Sequence, residues 1–530
     1  MFTREEFENY WQSWSLIEEA NYSHTKDSQG TSKRVYLKKG YTHFDHRFWF
    51  PERKEEIKRI LKNGLRVAGT KGSTRWWSFA PFLKILLKTP RFKDQGSDEG
   101  YDLETKIRPI SFASHIDSLI FGFYSFALTK VYEKYLTAHG FGDCVLAYRS
   151  DLNGKCNIQF SKEVFDEVKR RQNCTAIALD IKGYFDHIDH IILKEKWAKV
   201  LGEKLPDDQY KIYKALTQYS YVSKSSILKK YGIIYKKLKK SPQTLLELIP
   251  GSKDYEKFDR LRQDKLIVTN NKVNKTTKRM AGIPQGTGMS ALLSNIYLID
   301  FDQDLYQKSI EEGFLYRRYC DDIIVVCDSD KALELQKFII QKIQTECLLT
   351  IQDKKVELTE FAKNSAGNVR AFNKKKMIEA GIQWPTEDQE RYFYKSLQYL
   401  GFEFNGQDIF IRSSSLSRYY RKMKGRIVKT VIMAYNPDSK SDRIWKEQLF
   451  HRYTHLGKRN FLKYAYNASK AEYTNSAGEI KEGMDSPAIR KQLRRHFDIL
   501  MRTLATKNNQ RYLAKKLKGK PVDKKLIYKL

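Results

Sequence analysis

Tyr319-Cys320-Asp321-Asp322-Ile323-Ile324-Val325-Val326 places two adjacent carboxylates at the mouth of an apolar run. Phe314 to Val326 reads as two apolar strands pinched around Cys320-Asp321-Asp322. A second acidic strand end lies upstream, in Ala178-Leu179-Asp180-Ile181-Lys182-Gly183-Tyr184-Phe185-Asp186, where the short strand Cys174 to Leu179 runs into Asp180. Carboxylates at buried strand ends are costly unless their charge is compensated. A pair of divalent cations compensates it, and oxygen ligands suit Mg²⁺. Two ions about 4 Å apart activate an attacking hydroxyl and stabilise a leaving oxygen in an in-line phosphoryl displacement. Asp-Asp alone is usually an exposed turn. Set between two apolar strands, and joined by Asp180 with an aromatic residue five places later, it becomes a specific constellation.

The rest of the composition bears on the partner. The chain has 530 residues, enough for roughly two to four domains, and 41% hydrophobic content excludes wholesale disorder. Lys plus Arg number 97 against 63 Asp plus Glu, a net +34 that favours a polyanion, most simply nucleic acid, over a merely solvated basic surface. The six cysteines show no CxxC pair and no zinc-ligand spacing; most lie in apolar runs and read as small core residues of a reducing cytosol. The amino terminus lacks the apolar core of a secretory signal, and Phe79 to Leu87, the best apolar stretch, is split by Lys84. The expectation is a soluble, cytoplasmic protein.

Along the chain, Thr3 and Glu6 form a capping-box signature, followed at helical spacing by Phe7, Tyr10, Trp14 and Ile17. Ser23 to Arg34 reads as a loop, Gly96 to Glu104 as an exposed turn, and 205–280 as a lysine-rich insertion that includes Lys236, Lys237, Lys239 and Lys240. Tyr399 to Phe404 and Asp408 to Ile411 read as a hairpin turned at Asn405-Gly406. From Ile411 onward there are 30 Lys plus Arg and 9 Asp plus Glu, a net +21. Leu416, Tyr420, Met423, Ile427, Val431 and Ala434 keep one helical face, and Arg418, Arg421, Lys422 and Lys429 fall on the other, where phosphates would meet them.

With these residues in view, the chain resembles reverse transcriptases. Asp180 to Asp186 is similar to their first palm motif and Tyr319-Cys320-Asp321-Asp322 to their YxDD hairpin. Between the two, Gly282-Ile283-Pro284-Gln285-Gly286-Thr287-Gly288-Met289-Ser290 resembles the PQG motif. Lys106-Ile107-Arg108-Pro109-Ile110 and Ala147-Tyr148-Arg149 resemble the two fingers motifs, Leu349-Thr350-Ile351 with Lys355 the motif of the leaving pyrophosphate, and Leu400-Gly401-Phe402-Glu403-Phe404 the primer grip. The resemblance spans about 100–410. It implies that Asp180, Asp321 and Asp322 hold two Mg²⁺ ions, with Mn²⁺ as a substitute. It implies that Lys106, Arg108, Phe185, Gln285, Gly286 and Lys355 bind the dNTP, with Phe185 excluding a 2′-hydroxyl, and that Leu400, Gly401 and Phe402 grip the primer. Gly286 and Gly288 would let backbone approach the template–nucleotide pair. His187 and His190 have HxxH spacing but follow Phe185-Asp186 into a helix, so metal binding there is the weaker reading. Asp186 and Asp189 read as turn or capping residues.

The implied fold is α+β, a right-hand polymerase with a basic α-helical carboxy-terminal region. Its expected division is an amino-terminal helical extension over 1–60, fingers and palm over 61–411, and thumb and tail over 412–530. Tyr453-Thr454-His455-Leu456-Gly457-Lys458-Arg459-Asn460-Phe461 and Gln492-Leu493-Arg494-Arg495-His496, with His43-Phe44-Asp45-His46-Arg47 and Ser114-His115-Ile116-Asp117-Ser118 upstream, resemble the bacterial "unknown group" reverse transcriptases associated with antiphage defence. That resemblance implies a noncoding RNA template, a cDNA product, dNTP substrates, no membrane, and a homo-oligomer or companion defence protein as a further partner. A retron-like or intron-derived reverse transcriptase, and a palm-type RNA polymerase, stay open as alternatives.

Overall fold

The computed structural model describes residues 2–26, 32–36, 40–69, 73–94, 101–238, 242–274, 277–436 and 444–517. Its palm is a five-stranded sheet in the order Leu315–Tyr319, Asp322–Cys327, Cys174–Asp180, Glu357–Lys363 and Val369–Asn373, with every neighbouring pair antiparallel. Side chains alternate across a strand, so one apolar run can feed two cores. Ile177 and Leu179 join Ile323 and Val325 in the first core; Cys174 and Ala176 join Ile324 and Val326 in the second. Burial on both faces explains why these strands read as continuous apolar stretches.

The first core is closed by His115–Ala138 and Gly288–Tyr297, and the amino-terminal helices Arg4–Glu19 and Phe50–Lys62 enter it through Phe7, Trp11, Trp14 and Phe50. The extension therefore shares the palm's core, and residue 60 falls inside a helix. Thr3 and Glu6 form the capping box expected of them.

The fingers carry a long hairpin, Phe82–Asp94 with Tyr101–Phe112, extended by Ser220–Ser223 and Ile267–Thr269 from the lysine-rich insertion. A third core of Leu83, Val222, Ile227, Leu245 and Leu261 lies beneath it. Three strands, Leu397–Tyr399, Phe402–Phe404 and Ile409–Ile411, lead into the thumb helix Ser413–Ala434.

Three sequence expectations change. Ser23 to Arg34 includes paired strands, with Ser23 opposite Val35 and His24 opposite Arg34. A polar hairpin held by backbone bonds has no apolar alternation to announce it. Of the turn expected over Gly96 to Glu104, residues 101–104 are strand, paired with Arg91–Asp94, and 96–100 lie outside the described residues. On the thumb helix, Tyr419 takes the buried position in place of Tyr420: its hydroxyl donates to the Tyr453 carbonyl at 2.7 Å and its ring stacks on Phe461. The run Lys236 to Lys240 falls partly outside the described residues, which omit Lys239 and Lys240.

Candidate active site

The sheet register brings the acidic strand ends together. Asp322 is paired directly with Asp180 on the adjacent strand, and Tyr319 pairs with Asp322 across the turn that holds Cys320 and Asp321. Backbone bonds fix the arrangement from both sides: Ile181 N–H donates to the Asp321 carbonyl at 3.1 Å, and Gln352 N–H to the Asp180 carbonyl at 2.9 Å. The second bond also positions the short helical turn Asp353–Lys355, whose Lys355 Nζ donates to Asp180 Oδ1 at 2.6 Å.

Electrostatically the cluster is overloaded with negative charge. Burial, then the neighbouring charges of Asp321 and Asp180, push the Asp322 carboxyl up to about 6, against Lys355 and Arg412. Burial also raises Asp321, with Asp180 adding to the effect. Asp322 is exposed to the cleft that it lines. Among the described residues, no three Asp, Glu, His or Cys side chains already form a finished metal-binding group. An oxygen-only donor set with unbalanced charge nevertheless fits a hard divalent ion, because Mg²⁺ is typically held by one or two carboxylates with water and substrate phosphate completing its shell. Asp180, Asp321 and Asp322 would be the residues to hold it.

These aspartates floor a cleft of about 660 Å³. Lys106 and Arg108, two apart on one strand and so on one face, line it from the fingers, and Phe185 and Gln285 line it beside the palm. Lys355 and Leu400 lie along the same cleft. Other expected residues lie elsewhere. Gly286 is turned away from the cleft: a Cβ there would sit 2.8 Å from the Ser111 carbonyl oxygen, and its φ is +129°. The absent side chain thus makes room for a fingers strand, while Ser111 N–H donates to the Gln285 carbonyl at 2.8 Å. Gly288 starts a helix and its ideal Cβ meets only ordinary contact. Neither glycine lines the cleft, contrary to the close approach expected of them. Phe402 is fully buried in the second core, and Gly401, at φ +98°, accepts the Arg412 N–H at 2.9 Å; of the three grip residues only Leu400 reaches the cleft. Arg418, Lys422 and Lys429 stand exposed on the thumb helix and do not line the cleft, and Arg421 Nη2 donates to the Pro90 carbonyl of the fingers hairpin at 3.2 Å.

The histidines have structural partners. His190 Nε2 bonds the Gly282 carbonyl at 2.9 Å, and His187 Nδ1 that of Gly183 at 2.9 Å. Asp189 caps the helix His190–Leu201, and Asp186 pairs with Lys272.

Sequence reasoning passed over Tyr148 and Arg412 as cleft residues. The signal for Tyr148 was its place before Arg149, whose buried guanidinium donates to the carbonyls of Gly142 and Val145 and pairs with Glu133 and Asp151. With Arg149 fastened inward, its neighbour is the one that faces the cleft. Arg412 carries no local signal beyond its charge.

Several solved structures are similar to this chain. Apo telomerase from Candida tropicalis truncated from its C-terminal domain is 11% identical over 75% of this chain and 65% of that chain, with a TM-score of 0.35. Telomerase from Candida albicans in complex with the TWJ fragment of telomeric RNA is 11% identical over 96% and 73%, with a TM-score of 0.33. Apo telomerase from Candida tropicalis is 14% identical over 96% and 68%, with a TM-score of 0.30. This chain therefore spans just under two thirds of the first of these telomerases. No curated protein matches it. Residues 244–404 match the family described as reverse transcriptase (RNA-dependent DNA polymerase), a stretch holding Gln285, Asp321, Asp322 and Lys355, with Asp180 upstream. The α+β right-hand fold thus carries a reverse transcriptase domain, the domain of RNA-directed DNA polymerases.

Proposed function

We propose that the protein is an RNA-directed DNA polymerase that copies a dedicated noncoding RNA into DNA in antiphage defence. The observation that carries the polymerase reading is the register pairing of Asp180 with Asp322 beside Asp321, at the floor of a cleft walled by Lys106, Arg108 and Phe185. The defence role and the dedicated RNA rest on the resemblance of the tail and upstream motifs to the unknown-group enzymes.

In this reading a primer 3′-hydroxyl attacks the α-phosphate of a dNTP and pyrophosphate leaves. Two divalent ions held by the aspartates would lower the pKa of the attacking hydroxyl and balance charge on the leaving oxygen. Lys106 and Arg108 bind the triphosphate, where a guanidinium suits bidentate phosphate contact. Phe185 presses on the sugar and rejects a 2′-hydroxyl, which favours deoxynucleotides over the ribonucleotides of a palm-type RNA polymerase. Lys355 Nζ, released from Asp180 Oδ1, supplies positive charge and a proton to the departing pyrophosphate. The basic face of the thumb helix holds the RNA–DNA duplex.

The test is incorporation of dNTPs against NTPs by the purified chain with Mg²⁺, alongside sequencing of the cDNA and the bound RNA from cells. Incorporation of dNTPs that is lost in Asp321→Asn while RNA binding persists supports the polymerase reading; preference for NTPs overturns it. A bound RNA that is a self-splicing intron overturns the defence reading alone.

A further inference from the structure

Tyr148 occupies a backbone conformation that an L-residue seldom adopts, and it does so at the catalytic cleft. Its φ is +58°, in the left-handed region where glycine fits without strain. Ten non-glycine residues among those described share a positive φ, and three of them, Tyr148, Cys320 and Leu400, line this one cleft. Strained backbone concentrates where a side chain must be presented at a site. Core packing does not explain the tyrosine: Leu65, another of the ten, is fully buried, whereas Tyr148 is 47% exposed.

The surroundings are built to hold it there. Leu146 N–H donates to the Arg318 carbonyl at 2.9 Å, Asn295 Nδ2 to the Ala147 carbonyl at 2.7 Å, and Arg149 is fastened inward on the next residue. Tyr148 and Cys320, the residue before Asp321, line the same cleft. The backbone on both sides of Tyr148 is thus fixed, and its half-exposed ring stands in the cleft beside the catalytic turn.

The nucleotide's parts can be assigned by chemistry. Lys106 and Arg108 suit phosphate, the aspartates suit the reacting oxygens, and the half-buried ring of Phe185 in the cleft suits the sugar. The base, flat and weakly polar, is left for Tyr148, the exposed ring of the cleft. We propose that Tyr148 is a specificity-determining residue whose ring bears on the newly formed base pair between template and incoming nucleotide, checking its fit at the catalytic turn. The inference rests on the polymerase reading and adds to it a contact with the pair, distinct from the sugar wall and the phosphate cations.

The experiment uses the full chain on a poly(rA) template with an oligo(dT) primer, measuring KM and kcat for dTTP and extension from a mismatched primer end, with the melting temperature of each variant. Tyr148→Ala and Tyr148→Gly should raise KM for dTTP about tenfold or more, the scale of a lost base–aromatic contact, and relax mismatch discrimination, with a smaller change in kcat. Tyr148→Phe keeps the ring and should bring KM back toward the wild-type value. Tyr148→Gly should melt at least as high as Tyr148→Ala, since glycine accepts φ +58°. Wild-type KM and mismatch extension in both truncations would overturn the inference while leaving the polymerase reading standing. So would an activity loss in Tyr148→Ala that tracks its melting temperature and is restored in Tyr148→Gly. A wild-type chain that elongates neither this template nor the RNA that co-purifies with it overturns the polymerase reading, and the inference with it.

Discussion

Replacing Arg318 with methionine should destabilise the palm and disarm the catalytic turn together. Arg318 and Asp302 are both fully buried side chains. Arg318 Nε donates to Asp302 Oδ1 at 2.7 Å and Nη2 donates to Oδ2, while Nη1 donates to Asn295 Oδ1 at 3.2 Å and to the Cys320 carbonyl at 3.0 Å. The Tyr316 hydroxyl donates to the same carboxylate at 2.6 Å. One guanidinium therefore ties the helix Ile299–Glu312 to the backbone of the turn that presents Asp321. Methionine approximates the volume of the arginine stem but leaves Asp302 charged, buried and supported by Tyr316 alone.

Removing one partner of a buried ion pair typically costs about 3–5 kcal/mol, most of it the uncompensated charge left behind. Converting both residues, Arg318→Met with Asp302→Leu, removes that charge, so the double variant should be more stable than the single one. Recovery should fall short by about 1–3 kcal/mol for each buried polar group left without a partner, the Cys320 carbonyl and the Tyr316 hydroxyl among them. Urea midpoints of the wild type, both single variants and the double variant, with primer extension on each, read out the cycle. The double variant should regain stability without regaining rate, because the Cys320 carbonyl still lacks its donor. A loss under about 1 kcal/mol in Arg318→Met, or a double variant as unstable as the two singles summed, would refute the reasoning.

Three further outcomes follow from other residues. Lys355→Ala removes the cation 2.6 Å from Asp180 and should lower kcat about 100-fold with little change in dNTP KM; an unchanged kcat would exclude the lysine from the chemistry. Burial holds the His43 imidazole down at about 4 from its ordinary 6.5, so the folded state resists its protonation. Its contribution is present above pH 6.5 and is lost as pH falls through about 4, up to about 3 kcal/mol, and His43→Gln should flatten the fall in urea midpoint across that window. Gly286→Ala forces a Cβ to 2.8 Å from the Ser111 carbonyl at a φ of +129° and should cost about 1–3 kcal/mol; a melting temperature equal to the wild type would mean the strand moves freely.

What sequence disclosed and withheld follows from range. The strand ending at Asp180 and the hairpin around Asp321 were legible because their runs, buried on both faces, leave continuous apolar stretches. That Asp322 lies opposite Asp180 depends on register between strands more than a hundred residues apart, which only the family resemblance suggested. The paired strands Tyr22–Lys26 and Ser32–Tyr36 are not legible in the sequence because they are largely polar. Gly286 was assigned to the nucleotide because sequence shows a small residue without showing which neighbour needs the room, and here that neighbour is Ser111. Helical spacing put Tyr420 on the inner face, but Tyr419, four residues before Met423, fits that face as well; the Tyr453 carbonyl and Phe461, more than thirty residues away, turn Tyr419 inward.

The basic residues of this chain have two separate uses in this fold. Two of its arginines point inward, and each fixes a strained turn of the cleft: Arg149 anchors the loop beside Tyr148, and Arg318 holds the carbonyl of Cys320, itself at φ +58°. A left-handed non-glycine residue costs on the order of 1 kcal/mol or more, and a buried, multiply bonded guanidinium is strong enough to hold it. The planar fork suits this task because one side chain reaches a carboxylate and backbone carbonyls at once, which a lysine cannot do with the same directions. Lysines such as Lys422 and Lys429 stay at the surface, where a solvated point charge suits phosphate. Each buried arginine is balanced by carboxylates, Arg149 by Glu133 and Asp151 and Arg318 by Asp302, so the excess of +34 lies with the other basic residues while these two shape the cleft.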